Sequence, residues 1–151
     1  MSMRAQELVR EFGESIGLPD FALEKSGMAR LRLDGKVVVD FEHDASNNVL
    51  HVYAPIASAA HCTGQAWRLL LEANLFLDRS GGAACAFDRL TGDFMACLRL
   101  DLDRLDCLTL MRRVHHLADA VERLRADLAA LQHEAPEQEA APLLQAGLMR
   151  G

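Results

Sequence analysis

The chain has 151 residues, half hydrophobic and a quarter charged, with a formal net charge of -6. That is the profile of one globular domain able to bury a core without disulfides or metals. It excludes the basic surface that nucleic-acid binding demands, and no run approaches the roughly 18 consecutive apolar residues of a membrane span.

Leu8, Phe12 and Ile16 recur every four positions with Ala5 and Val9, which predicts a helix over 3–16. Ser2 is placed to cap it, and Gly17 with Pro19 ends it. Leu31 and Leu33 alternate with Arg30 and Arg32 as a strand. Asp34-Gly35 then supplies two residues that accept positive φ, the signature of a tight hairpin. Val37, Val39 and Phe41 alternate with Lys36, Val38, Asp40 and Glu42, and a polar loop over 44–48 leads to a third strand, 49–55. The pattern turns helical over 59–78 and breaks at Gly81-Gly82. Two more strands are expected near 83–88 and 93–101, joined by Arg89-Leu90-Thr91-Gly92; Phe94, Ala96, Leu98 and Leu100 alternate in the second. A long helix over 105–133 carries the stripe Leu110, Val114, Leu117, Val121, Leu124, Leu128 and Leu131. The stripe suits either a coiled-coil seam or a face docked on a sheet, with Glu122–Arg125 and Arg123–Asp127 as solvated pairs. Residues 134–151, rich in Glu, Ala, Pro and Gln, read as a disordered tail beyond a 1–133 domain. The order α-β-β-β-α-β-β-α with tight hairpins predicts a single α+β domain, an antiparallel sheet with helices packed on it.

Met1 to Phe12 lacks the apolar core of a signal peptide, so a cytosolic location is expected. Cys62, Cys85, Cys97 and Cys107 form no C-x-x-C pair and are expected as small core residues. Neither His61-Cys62 nor His115-His116 makes a metal face, because adjacent helical positions point about 100° apart. No nucleotide, phosphate or nucleophile-elbow motif is present, so no metal and no cofactor are expected. A small enzyme built on a Cys–His pair that meets in space, Cys62 with His61 or a cysteine with His115, is the minority reading.

Ala66, Trp67, Leu69, Leu70, Leu71, Ala73, Leu75, Phe76 and Leu77 cover nearly the whole circumference of the middle helix. Such a helix is expected to be buried on all sides. The sheet supplies one side; a second copy of the chain, or else the first or last helix, supplies the other. Trp67 suits an interface anchor. Beside the first helix, the hairpin carries Val38 on the face opposite Val37, Val39 and Phe41. A strand edge next to apolar side chains is a template for an added peptide strand, although the same spacings serve an ordinary core.

The element order joins several local patterns: Phe12-Gly13-Glu14-Ser15-Ile16-Gly17-Leu18, the run Trp67-Arg68-Leu69-Leu70-Leu71-Glu72-Ala73-Asn74-Leu75-Phe76, Phe87-Asp88, and Leu98 to Leu102. Over about residues 3–131 the chain resembles the class I type III secretion chaperones of bacteria, the Tir-chaperone group. The resemblance implies a cytoplasmic homodimer, without nucleotide, that binds the N-terminal region of a secreted effector and keeps it extended and secretion-competent. The ATPase of the secretion apparatus is a further candidate partner. By this resemblance Phe12 and Ile16 contact the effector, with Leu8, Leu31, Leu33 and Val38 as additional candidates. Trp67, Leu70, Leu71, Asn74 and Leu75 form the self-contact. The competing binding class is a dimeric adaptor or regulator that docks a folded partner on the same scaffold.

Overall fold

In the computed structural model, which describes residues 3–133, helix α1 spans Met3–Ser15. Its buried face is Ala5, Leu8, Val9, Phe12 and Gly13. The helix ends where Gly17 takes φ of 81°, and the chain folds back at once. A Cβ on Gly13 would lie 2.7 Å from both the Leu18 carbonyl oxygen and the Phe21 Cβ, so the close return requires glycine there. The expected Ser2 cap and the tail from residue 134 lie outside the described residues.

Strands β1 (Met28–Leu33), β2 (Val37–Asp44) and β3 (Val49–Ser58) follow as two hairpins. Asp34 and Gly35 both have positive φ, as the first turn requires. In the second turn the Asp44 carboxylate accepts hydrogen bonds from the backbone N–H groups of Ser46 and Asn47 and from the Asn47 side chain. After a short 3-10 turn at Ala59–His61 come α2 (Gly64–Ala73), β4 (Ala84–Asp88), β5 (Asp93–Asp101) and α3 (Cys107–His133). The five strands lie in the order β1-β2-β3-β5-β4, every neighbouring pair antiparallel.

One face of the sheet is the core. Leu31, Val39, Phe41, Val52, Ala54, Leu98 and Phe94 point into it, against α1 and the buried stripe of α3. The α3 stripe therefore docks on the sheet, mainly over β3, and is not a coiled-coil seam. Burying a leucine of this kind contributes about 1.5–3 kcal/mol each.

Two local expectations fail for definable reasons. The middle helix is shorter than 59–78. At its end Asn74 turns its side chain to β4, and Phe76 and Leu77 follow with φ of 60° and 59°. Residues with positive φ cannot continue a right-handed helix. The expected pairs within α3 also do not form. Arg125 instead donates to the carbonyls of Lys36, Pro55 and Ile56 at 3.1, 2.7 and 3.1 Å. Glu122 faces Lys36, and Asp127 accepts from Arg79 at 2.8 Å. The register of β3 slips between Pro55 and Ala57. A bulge of this kind leaves carbonyls unpaired by the ladder, and Arg125 satisfies them.

Candidate interaction surfaces

The largest apolar exposure gathers where α2 meets β4. Ala66, Leu70 and Ala73 are the buried positions of α2. Leu71, on the flank of the helix, is 69 % exposed, and past its end Leu75 is 66 % and Phe76 83 % exposed. Neither α1 nor α3 covers these residues, so the all-round apolar pattern is only half buried within one chain. Trp67 is held edge-on to Phe94 with ring centroids 4.6 Å apart, and lies 5.2 Å from Phe87. Together with Leu70, Leu71, Cys85 and Ala86 these three rings line a cavity of about 90 Å³ that opens to solvent. A pinned aromatic cluster loses little rotamer freedom on binding, which favours it as an anchor.

Of the residues expected at the self-contact, Trp67, Leu71 and Leu75 lie on this surface. Leu70 does not: at 4 % exposure it belongs to the core and floors the cavity. Asn74 is half-buried and its amide is already engaged, donating to the Cys85 carbonyl at 3.1 Å and accepting from the Cys85 N–H at 2.7 Å. Phe87 belongs to this surface, and Phe76 is exposed at the helix exit; the sequence pattern marks neither as a contact residue. The apolar run in the sequence contained Phe76. Phe87 carries no such signal, because only the pairing Phe87↔Phe94 brings it beside Trp67.

The residues expected at the peptide groove divide among three places. Leu8, Phe12 and Leu31 are core; Phe12 meets Phe21 edge-on and Phe41 at a tilt, with centroid distances of 6.0 and 5.4 Å. Ile16 and Leu33 are half-buried at the margin of that core. Val38 is half-buried on the other face of the sheet, opposite Arg32. The strict alternation of strand side chains separates Val38 from Leu31 and Leu33, so the six do not line a single groove. What this end does expose is Met3, Leu18 and Met28, beside an open depression lined by Met3, Gln6, Glu7, Arg10 and Ala22.

Among the described residues no helix packs on the second sheet face. On it Arg30 holds the buried Asp40 carboxylate through two hydrogen bonds of 2.6 and 3.0 Å. Tyr53 donates to Glu42 at 3.2 Å. Burial, followed by the charges of Glu42 and Asp40, pushes the Tyr53 hydroxyl up to about 12.

The cysteines are half-buried, not core. Burial raises the pKa of Cys62, and pushes the Cys85 thiol up to about 11, aided by Cys97. Cys62 donates to the Ser58 carbonyl, not to an imidazole. A nucleophilic cysteine requires the opposite shift. Among the described residues no cluster of three or more His, Cys, Asp or Glu side chains is placed to hold a metal ion. No described helix is long and apolar enough to cross a membrane.

No curated protein matches the chain. Among solved structures, a chain of the ExsC–ExsE complex is similar with a TM-score of 0.73 and 25 % identity, over 85 % of this chain and 97 % of that one. A chain of the HopA1–SchA chaperone–effector complex matches at 0.69 and 17 % identity, over 80 % and 91 %. A chain of the Yersinia pestis type III secretion chaperone SycH, solved with a stable fragment of YscM2, matches at 0.64 and 21 % identity, over 80 % and 98 %. The last two likenesses speak to the fold, which all three share. The model of the Tir chaperone protein (CesT) family matches residues 7–125, from α1 through most of α3. This chain belongs to the Tir chaperone protein family.

Proposed function

We propose that the chain is a type III secretion chaperone of the bacterial cytoplasm, working by binding and not by catalysis. It pairs with itself through the α2–β4 surface and holds an unfolded segment of a secreted effector. The observation that carries the reading is the bare apolar side of α2 around Trp67, in a chain whose family is that of chaperones. Exposed apolar side chains gathered in one place mark an interaction site, and a second copy of the chain can cover them by presenting the same patch. The similar structures fit the effector half of the reading, since one of them is described as a chaperone–effector complex.

The effector segment then lies along the α1–β1 end. Ile16, Leu33, Leu18 and Met28 are the accessible apolar groups there, and Val38 serves only a partner that reaches the second sheet face. Leu8, Phe12 and Leu31 support that end from beneath. Ordering the bound segment costs a few kcal/mol, offset by a long contact.

Two measurements test this. The chain in solution is expected to have the mass of two protomers, and Trp67→Glu to have the mass of one; an unchanged mass places the self-contact elsewhere. Co-expressed with candidate effectors from its own secretion system, the chain is expected to protect an N-terminal segment from protease. Effectors that are digested equally with and without it would overturn the chaperone reading.

A further inference from the structure

The two edges of the sheet are not equivalent. An edge strand ordinarily presents unpaired N–H and C=O groups to any passing strand. In an antiparallel ladder alternate residues point these groups toward the partner strand and away from it. On β4 the Asp88 carbonyl accepts from Gly92 N–H on the β5 side. The odd positions, Ala83, Cys85 and Phe87, therefore face outward. Two of these are already occupied by the chain itself. Ala83 N–H donates to the Ser80 carbonyl at 3.1 Å. Cys85 is bonded at both its N–H and its C=O to the Asn74 side chain, at 2.7 and 3.1 Å. A primary amide carries one acceptor and one donor side by side, as a peptide group does, so Asn74 stands where the next strand's backbone would stand. One outward position, Phe87, remains before the strand ends at Asp88.

At the opposite edge the same alternation turns Arg30 and Arg32 outward. There the Met28 carbonyl is taken by Glu24 N–H, at the strand's first residue. Among the described residues the middle of β1 is left open, and the middle of β4 is closed.

We infer that Asn74 is a specificity-determining residue for association: its amide closes the β4 edge to strand addition. A second copy then meets the middle of this edge through side chains and not through a strand ladder. Without the amide, the outward groups of Cys85 are released beside an apolar surface, and pairing changes from a closed contact to open-ended strand stacking. The inference rests on the proposed self-contact at this end of the sheet and is independent of effector binding.

The test uses the full chain and two substitutions, Asn74→Ala and Cys85→Pro. The Cys85 N–H faces away from β5, so proline at 85 removes the released donor without breaking the ladder, as proline does on edge strands. N74A is expected to keep the wild-type circular dichroism and to show a mass by light scattering that rises with concentration. Its Cys85 amide is expected to exchange roughly tenfold faster than in the wild type. N74A/C85P is expected to return to the wild-type mass, and C85P alone, which loses the bond from Cys85 N–H to Asn74, to fold with the wild-type mass and melt somewhat lower. An N74A chain that keeps the wild-type mass at all concentrations overturns the inference. So does a mass increase that C85P fails to reverse, or a C85P chain that does not fold. Should N74A collect as insoluble protein, recovery of soluble protein of wild-type mass in N74A/C85P decides for the inference, and continued insolubility decides against it.

Discussion

Phe12 illustrates how one side chain serves two accounts. It is buried against Phe21 and Phe41, so Phe12→Ala is expected to cost about 3–5 kcal/mol in chemical denaturation. Any loss of effector binding in that variant should follow the loss of folded protein. A drop in affinity with unchanged stability would return Phe12 to the contact surface. The thiols make a second residue-scale prediction. With Cys85 pushed up to about 11, its thiolate is scarce at pH 8, and mass spectrometry is expected to find it alkylated far more slowly than a free cysteine. Asp106 gives a third. Its carboxylate accepts from Thr109 N–H at 2.7 Å, one residue before α3 begins, and the backbone and hydroxyl of Thr109 hold its pKa below the ordinary 3.8. A depressed carboxylate stabilises the fold fully above its unfolded value and loses that contribution as pH falls through the folded value. The difference in melting temperature between wild type and Asp106→Ala should therefore be steady near neutrality and shrink in the acid range below 3.8.

At the scale of elements, the helices and strands were legible wherever one face is buried, because burial imposes a period. The alternation of Phe94, Ala96, Leu98 and Leu100 and the stripe of α3 both emerge as read. The exit of α2 was not legible. Its end is fixed by a hydrogen bond from Asn74 to a strand eleven residues on, and no local signal announces such a contact. The charges of α3 were misread for the same reason: i,i+3 and i,i+4 partners were available on the helix, but Arg125 serves the β3 bulge. Replacing Arg125 with Met keeps the aliphatic packing and strands those carbonyls. It is expected to cost about 1.5–3 kcal/mol, whereas Arg123→Met, on the exposed side, should be near neutral by thermal melting. Of the proposed self-contact, the apolar character of Trp67, Leu71 and Leu75 is legible in the sequence, but their exposure is not, because Leu70 in the same run is core. The groove was not legible, because Leu8, Phe12 and Leu31 have the spacing of a core and are core.

For the whole molecule, the proposed self-contact would make the exit of α2 a link between stability and association. Phe76 and Leu77 both sit at positive φ, and neither is glycine. A bulky residue there costs about 1 kcal/mol or more, while Phe76 gains almost nothing from its own chain, being 83 % exposed. A lone protomer would be more stable with glycine at 76. Phe76→Gly is thus expected to raise the melting temperature of a protomer already made monomeric by Trp67→Glu, and to weaken pairing in the otherwise unaltered chain. On the proposed self-contact, the strain at residue 76 is a cost to the single chain that only a second copy offsets.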